Sequence, residues 1–107
     1  MEQKDQKMKE VIRELAAEFF QRRSNGTSLI TITNIELRSR NSRAIILFTV
    51  LPEDQEVAAL DFMKRQLGDF RDHVNEHARI MRVPFFDVAL DKGEKNRQRI
   101  EDIGKIV

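Results

Sequence analysis

The sequence predicts a small α+β domain with helices packed on one face of a three-stranded sheet. Three observations lead there. Apolar residues recur at helical spacing in the stretches 4–23 and 53–82, two runs rich in β-branched residues lie between them, and a third such run follows. The resulting order is α-β-β-α-(kink)-α-β-α. The length of 107 residues suits one hydrophobic core, so the whole chain, 1–107, is read as a single domain.

In the first helical stretch, Met8, Val11, Ile12, Leu15, Ala16 and Phe19 fall on one stripe at spacings of three and four. Ser24-Asn25-Gly26-Thr27 ends it, because Gly or Asn tolerates the left-handed conformation that a helix stop uses. The segment from Leu29 to Leu37 reads as a strand. Its apolar parity changes partway: Ile30 and Ile32 share one face, while Leu29, Ile35 and Leu37 share the other. A bulge near Thr33-Asn34, or burial on both sides, accounts for that change. Arg38 to Arg43 is a polar connector short enough for a hairpin. The next strand, Ala44 to Leu51, is apolar on both parities, as a central or doubly covered strand is.

Pro52-Glu53-Asp54 then opens a helix with acidic groups where the helix dipole favours them. Val57, Leu60, Met63, Leu67, Phe70, Val74, Ala78 and Met81 continue its apolar stripe. Gly68 interrupts it at a cost of about 1 kcal/mol relative to Ala, and a kink between two shorter helices is the expected consequence. Val83 to Asp91 reads as the third strand, with Pro84 at its entry. Lys92-Gly93 turns the chain into a last helix, about 93–106, in which Ile100, Ile103 and Ile106 repeat every three residues.

The composition narrows the function. There is no Cys, which excludes a disulfide framework, thiolate metal ligands and a Cys nucleophile, and which is compatible with a reducing compartment. The first seven residues lack the apolar core of a signal peptide, and no apolar run approaches the ~20 residues of a membrane helix. A cytoplasmic chain without a membrane partner is therefore expected. Nineteen basic residues oppose eighteen acidic ones, giving a formal net charge of +1. That balance rules out indiscriminate polyanion binding, but it is unevenly spread. Segment 22–43 carries +4, 44–63 carries −4 and 64–82 carries +2.

Two basic groups are candidates for nucleic-acid contact. Lys64, Arg65, Arg71, Arg79 and Arg82 lie on or beside the second helical stretch, off its apolar stripe, with Gly68 among them. Arg presents planar donors that match phosphate and stack on bases, and Gly allows close backbone approach. The competing reading is a solvated face whose cations pair with Asp69, Asp72 and Glu76. Arg38, Arg40 and Arg43 form the second group, a positive hairpin tip with no acid inside it. Charged edge strands also discourage aggregation, which is the alternative explanation.

His73-Val74-Asn75-Glu76-His77 matches the H-x-x-E-H pattern of a class of zinc proteases. Such an enzyme also needs a third ligand and a cleft. Val74 sits between the two His on the core stripe, and a chance match is the expected explanation. No nucleophile triad, phosphate loop or dinucleotide fingerprint is present, and Asp87 and Asp91 lack a pocket. No catalytic group, metal or cofactor is expected. Phe19, Phe48, Phe70 and Phe86 read as core, whereas Phe20, Phe62 and Phe85 are open to a partner-facing role.

Taken colinearly, these residues resemble the ribosome-binding factor A family of small-subunit assembly factors. The strand pair Thr31 to Leu37 and Ala44 to Leu51, with its Ile35-Glu36 step, resembles the family's hairpin. Gly68, Arg71, Arg79 and Val83-Pro84 have its spacing, Phe86 to Asp91 its third strand, and Arg99-Ile100-Glu101 its closing helix. The likeness spans about Met8 to Ile106. Three places differ from the family pattern: Gln66-Leu67-Gly68 stands where Ala-x-Gly is usual, Ser24-Asn25-Gly26 where Asp-Pro-Arg is usual, and the hairpin connector lacks its Asp. The resemblance implies a type II KH-like fold and a non-enzymatic RNA-binding protein, monomeric when free. It also implies that the protein binds the immature small (30S) subunit and its 16S rRNA and assists late maturation. In KH-type modules a helix–helix turn meets the nucleic-acid backbone, which assigns that role to Lys64, Arg65, Gly68, Arg71, Arg79 and Arg82. The alternative is a protein–protein adaptor that uses the acidic segment and exposed Phe residues.

Overall fold

The computed structural model describes residues 2–24 and 26–93, and side chains from Asp5 onward. Among them the elements are helix α1 (Glu2–Arg23), strand β1 (Leu29–Arg38), strand β2 (Arg43–Leu51), helix α2 (Glu56–His77) and strand β3 (Phe85–Leu90). All of the expected helix at 93–106 except Gly93 lies outside the described residues, as does Asn25 of the first turn.

The three strands form one sheet in the order β1-β2-β3. β1 and β2 are antiparallel from Leu29↔Leu51 to Arg38↔Arg43, and the register shifts between Ile32 and Asn34. Of the two explanations that the parity change allowed, this is the bulge. It moves Ile35 and Leu37 onto the face already held by Ile30 and Ile32, opposite Ile46, Ala44, Val50 and Phe48 of β2. β2 is the central strand, which explains its double-sided apolar character: Phe48 is buried on the helix side and Leu47 on the other.

β3 pairs with β2 in parallel, from Arg43↔Phe85 to Phe48↔Leu90. A parallel pair needs a crossover that returns the chain along the whole strand. Nine residues of β2 span about 30 Å at strand rise. The 22 residues of α2 span about 33 Å at helical rise, so one straight helix makes the return.

α2 accordingly runs unbroken from Glu56 to His77, and the kink expected at Gly68 does not form. Ala59, Met63, Phe70 and Val74 are buried on both sides of Gly68 in one stripe. Burial of Met63, Phe70 and Val74 contributes about 1.5–3 kcal/mol apiece, against a glycine cost near 1 kcal/mol, so burial wins. The break falls ten residues later. Ala78 is extended (φ −125°, ψ 144°), although its N–H still reaches Val74 O at 2.9 Å. Residues 78–82, expected to continue the helix, form an irregular connector instead, and Val83-Pro84, expected to open the third strand, belong to it, so that the strand starts at Phe85. Met81 leaves the core stripe for solvent as a result, and Val57, at the opposite end of the stripe, is also exposed. Pro52 and the acidic pair Glu53-Asp54 open a single 3-10 turn, Glu53–Gln55, ahead of α2.

Both helices cover one face of the sheet in a single core. Ile12, Ala16, Phe19 and Phe20 of α1 meet Ile32, Ile35, Ala44, Ile46, Phe48 and Val50 of the hairpin, and the buried stripe of α2 closes the layer. Phe20, which the sequence left open to a partner, is 1% exposed and packs its ring 5.4 Å from that of Phe70. Phe86 rests on Phe70 at 4.9 Å, whereas Phe85 points outward.

Candidate nucleic-acid interface

The predicted cations separate into two zones. The first is the hairpin end of the sheet. Arg38 and Arg43 close the hairpin as its last paired rung, and Ser39, Arg40 and Asn41 make the turn with positive φ of 54°, 56° and 66°. Three consecutive non-glycine residues in this region are unfavourable, by about 1 kcal/mol or more each, and hold only where other contacts fix them. Ser42 N and Oγ both donate to Ser39 O, at 3.1 and 2.7 Å. Asn41 Nδ2 donates to Asp5 Oδ1 of α1 at 2.7 Å, and Phe85 N donates to Ser42 O at 2.9 Å. Arg40 is thereby presented at the apex of a braced turn.

The bond from Phe85 also brings the α2–β3 connector to this end. Arg79 and Arg82 sit on it, exposed, a few residues before the β3 rung Arg43↔Phe85. Arg38 pairs with Glu36 at 3.0 Å and Arg43 with Asp87 at 3.7 Å, each through an exposed guanidinium on a half-buried carboxylate, where water competes for the pair. Arg40, Arg79 and Arg82 have no ion pair among the described residues.

The second zone lies on the middle of α2, where the helix meets the end of α1. Lys64 is exposed, and Arg65 pairs with Asp61 one turn back at 3.0 Å. Gly68 is exposed on a continuous helix, and a Cβ added there meets nothing within 4 Å. The neighbouring ground is taken by Arg23 of α1, which the sequence reading did not single out. Its guanidinium donates to Asp69 Oδ2 at 2.8 Å and Gln66 Oε1 at 2.9 Å and lies 4.4 Å over the Phe19 ring. The signal was the +4 charge of segment 22–43, to which Arg22 and Arg23 contribute. Nothing in the sequence pattern showed that α1 and α2 would align there.

Arg71 belongs to neither zone as a free donor. Its Nε and Nη2 donate to Pro84 O and Val83 O at 3.3 and 3.1 Å, and its plane lies 4.6 Å from the Phe85 ring. It anchors the connector that carries Arg79 and Arg82 and acts on that zone by positioning it.

The histidine pair is a packing feature. His73 and His77 rings stack at 4.1 Å, His73 lies 5.3 Å from Phe19, and His77 Nδ1 sits 2.9 Å from His73 O. No group of three or more His, Asp, Glu or Cys able to hold a metal forms among the described residues. Partial burial holds the His73 pKa below its ordinary value. The His77 charge lowers it further, as do Arg22 and Arg23, and Glu76 partly opposes them.

A three-stranded sheet with a parallel crossover and both helices on one face, carrying a basic end, is a KH-like α+β fold. It is the fold of ribosome-binding factor A. The crystal structure of that protein from Thermus thermophilus superposes with a TM-score of 0.71, at 17% identity, over 81% of this chain and 94% of its own. The solution structure of a Thermotoga maritima protein proposed to be a ribosome binding factor A gives 0.66, at 22% identity, over 82% and 87%. No family model matches the chain, and no curated protein matches it. No helix among the described residues is long and apolar enough to cross a membrane.

Proposed function

We propose that this protein is a cytoplasmic, non-enzymatic RNA-binding assembly factor. It binds the immature small (30S) ribosomal subunit as a monomer and assists late maturation of 16S rRNA. The observation that carries the reading is the gathering of Arg38, Arg40, Arg43, Arg79 and Arg82 at one end of a fold shared with ribosome-binding factor A structures. Five cations converging there from two distant stretches of chain offer a backbone-binding surface despite the near-zero net charge. The domain then works by differential binding: it stabilises one rRNA arrangement over another and leaves when the favoured arrangement is complete.

Gradient fractionation tests this. The protein is expected to co-sediment with immature small subunits at low salt, and the triple variant R40E/R79E/R82E is expected to stay at the top of the gradient while retaining its fold by circular dichroism. A folded variant that still rides with the particles removes these residues from the interface. A parent protein absent from the particles overturns the function.

A further inference from the structure

Beside the basic end lies a partly apolar cleft. Its walls are Lys7, Met8 and Val11 of α1 and Arg79, Ile80 and Met81 of the connector, around about 230 Å³. None of the lining residues is acidic. Of the α1 carboxylates next to the lining residues, Asp5 is engaged by Asn41, and Glu10, three residues on from Lys7, is exposed to solvent. Met8 and Ile80 are half-buried and form the floor, while Met81 stands fully in solvent, with a relative exposure of 105%. An extended apolar side chain beside two cations has no folding rationale here, because the helix that would have buried Met81 ends at His77.

We infer that this cleft holds one unstacked nucleotide of a single-stranded RNA, its base against Met8, Val11, Ile80 and Met81 and its phosphate between Lys7 and Arg79. The inference rests on the RNA-binding reading and deepens it. A free phosphate leaves the four apolar side chains uncovered, and a purely apolar ligand leaves the two cations without counter-charge. A nucleotide satisfies both, since it joins a flat weakly polar face to an anion. Arg82 and Arg40 extend the positive surface past the cleft, matching a polyanion that repeats its charge at every unit. Methionine is unbranched and polarisable, so it conforms to any base. With no amide or hydroxyl among its lining side chains, the cleft has little means of reading the base edge. It therefore selects single strand over duplex, whose bases stay stacked, with weak preference among bases.

The test compares three fluorescent RNAs by anisotropy at constant salt: a 12-nucleotide uridine strand, the same strand with abasic sites, and a hairpin duplex of equal charge. The parent is expected to favour the intact strand over the other two by roughly fivefold, the low end of what base–aromatic stacking supplies, because the cleft is lined by aliphatic side chains without an aromatic ring. Met81→Ala, at a fully exposed position, is expected to erase that preference, and Lys7→Ala to weaken binding of the strand. Equal affinity of the parent for the three RNAs, or a preference that survives Met81→Ala, overturns the cleft assignment while particle binding still upholds the RNA reading. Failure to bind both these RNAs and small-subunit particles overturns the RNA reading itself. A Glu/Leu-rich peptide that competes with the strand, binds more tightly, and depends on Met81 assigns the cleft to a protein partner and also overturns the inference.

Discussion

Arg71 donates two hydrogen bonds to the carbonyls of Val83 and Pro84 and covers the Phe85 ring, and so joins α2 to the entry of β3 at three points. Its spacing from Gly68 and its charge mark it in the sequence as an RNA contact. Charge alone does not show that the chain would lose its helix at Ala78 and leave two carbonyls in need of a donor. Hydrogen bonds from a charged group contribute about 1.5–3 kcal/mol. Arg71→Ala is therefore expected to lower unfolding stability by about 2 kcal/mol in urea, with Arg71→Lys recovering part of the loss. A variant as stable as the parent but defective in RNA binding would return Arg71 to the interface.

His73 illustrates a titratable group whose setting, against Phe19 and between His77, Arg22 and Arg23, favours the neutral ring. Its folded-state pKa lies below the unfolded value of about 6.5, so the unfolded chain binds the extra proton first. Its contribution to stability is full above that unfolded value and is lost as the pH falls through the depressed folded pKa. Stability is expected to decline as the pH falls below about 6.5, and His73→Gln to flatten that decline. An unchanged pH profile in the variant removes His73 as its source.

At the scale of elements, Gly68 decides how α2 should be understood. It lies inside a continuous helix, lacks positive φ, and has open space where a Cβ would stand. Nothing steric calls for glycine there, so Gly68→Ala is expected to stabilise the protein by about 0.5–1 kcal/mol, seen as a rise in thermal midpoint. A destabilised variant would show that α2 needs a bend at this point. The local cost of glycine was legible in the sequence, while the outcome was set by Met63, Phe70 and Val74 packing on the sheet from both sides of it. The bulge at Thr33 was legible because a change of parity leaves a mark in the residues themselves. The left-handed turn at Ser39, Arg40 and Asn41 was not, because no glycine announces it and its bracing comes from Asp5 and Phe85, far away in the chain.

For the molecule as a whole, parallel pairing converts scattered charge into a surface. Segments 38–43 and 79–82 are nearly 40 residues apart in sequence, and both basic segments were visible there. What places them together is the rung Arg43↔Phe85, a non-local pairing that no charge count reveals. Lys64 and Arg65 remain on the helix face, where Arg65 is already matched to Asp61. The two zones make different demands on ionic strength. Each phosphate contact to a single strand adds about 0.7 to the slope of log K against log salt. Neutralising Arg40, Arg79 and Arg82 together as Gln is therefore expected to flatten that slope by about 2, whereas Lys64→Gln with Arg65→Gln is expected to change it by less than about 1. The measurement is binding to a small-subunit rRNA fragment over a series of salt concentrations. Equal flattening by both sets would extend the interface onto the face of α2. If the parent itself binds small subunits with an affinity that barely responds to salt, the contact is an apolar one to protein, and the adaptor reading replaces the RNA reading.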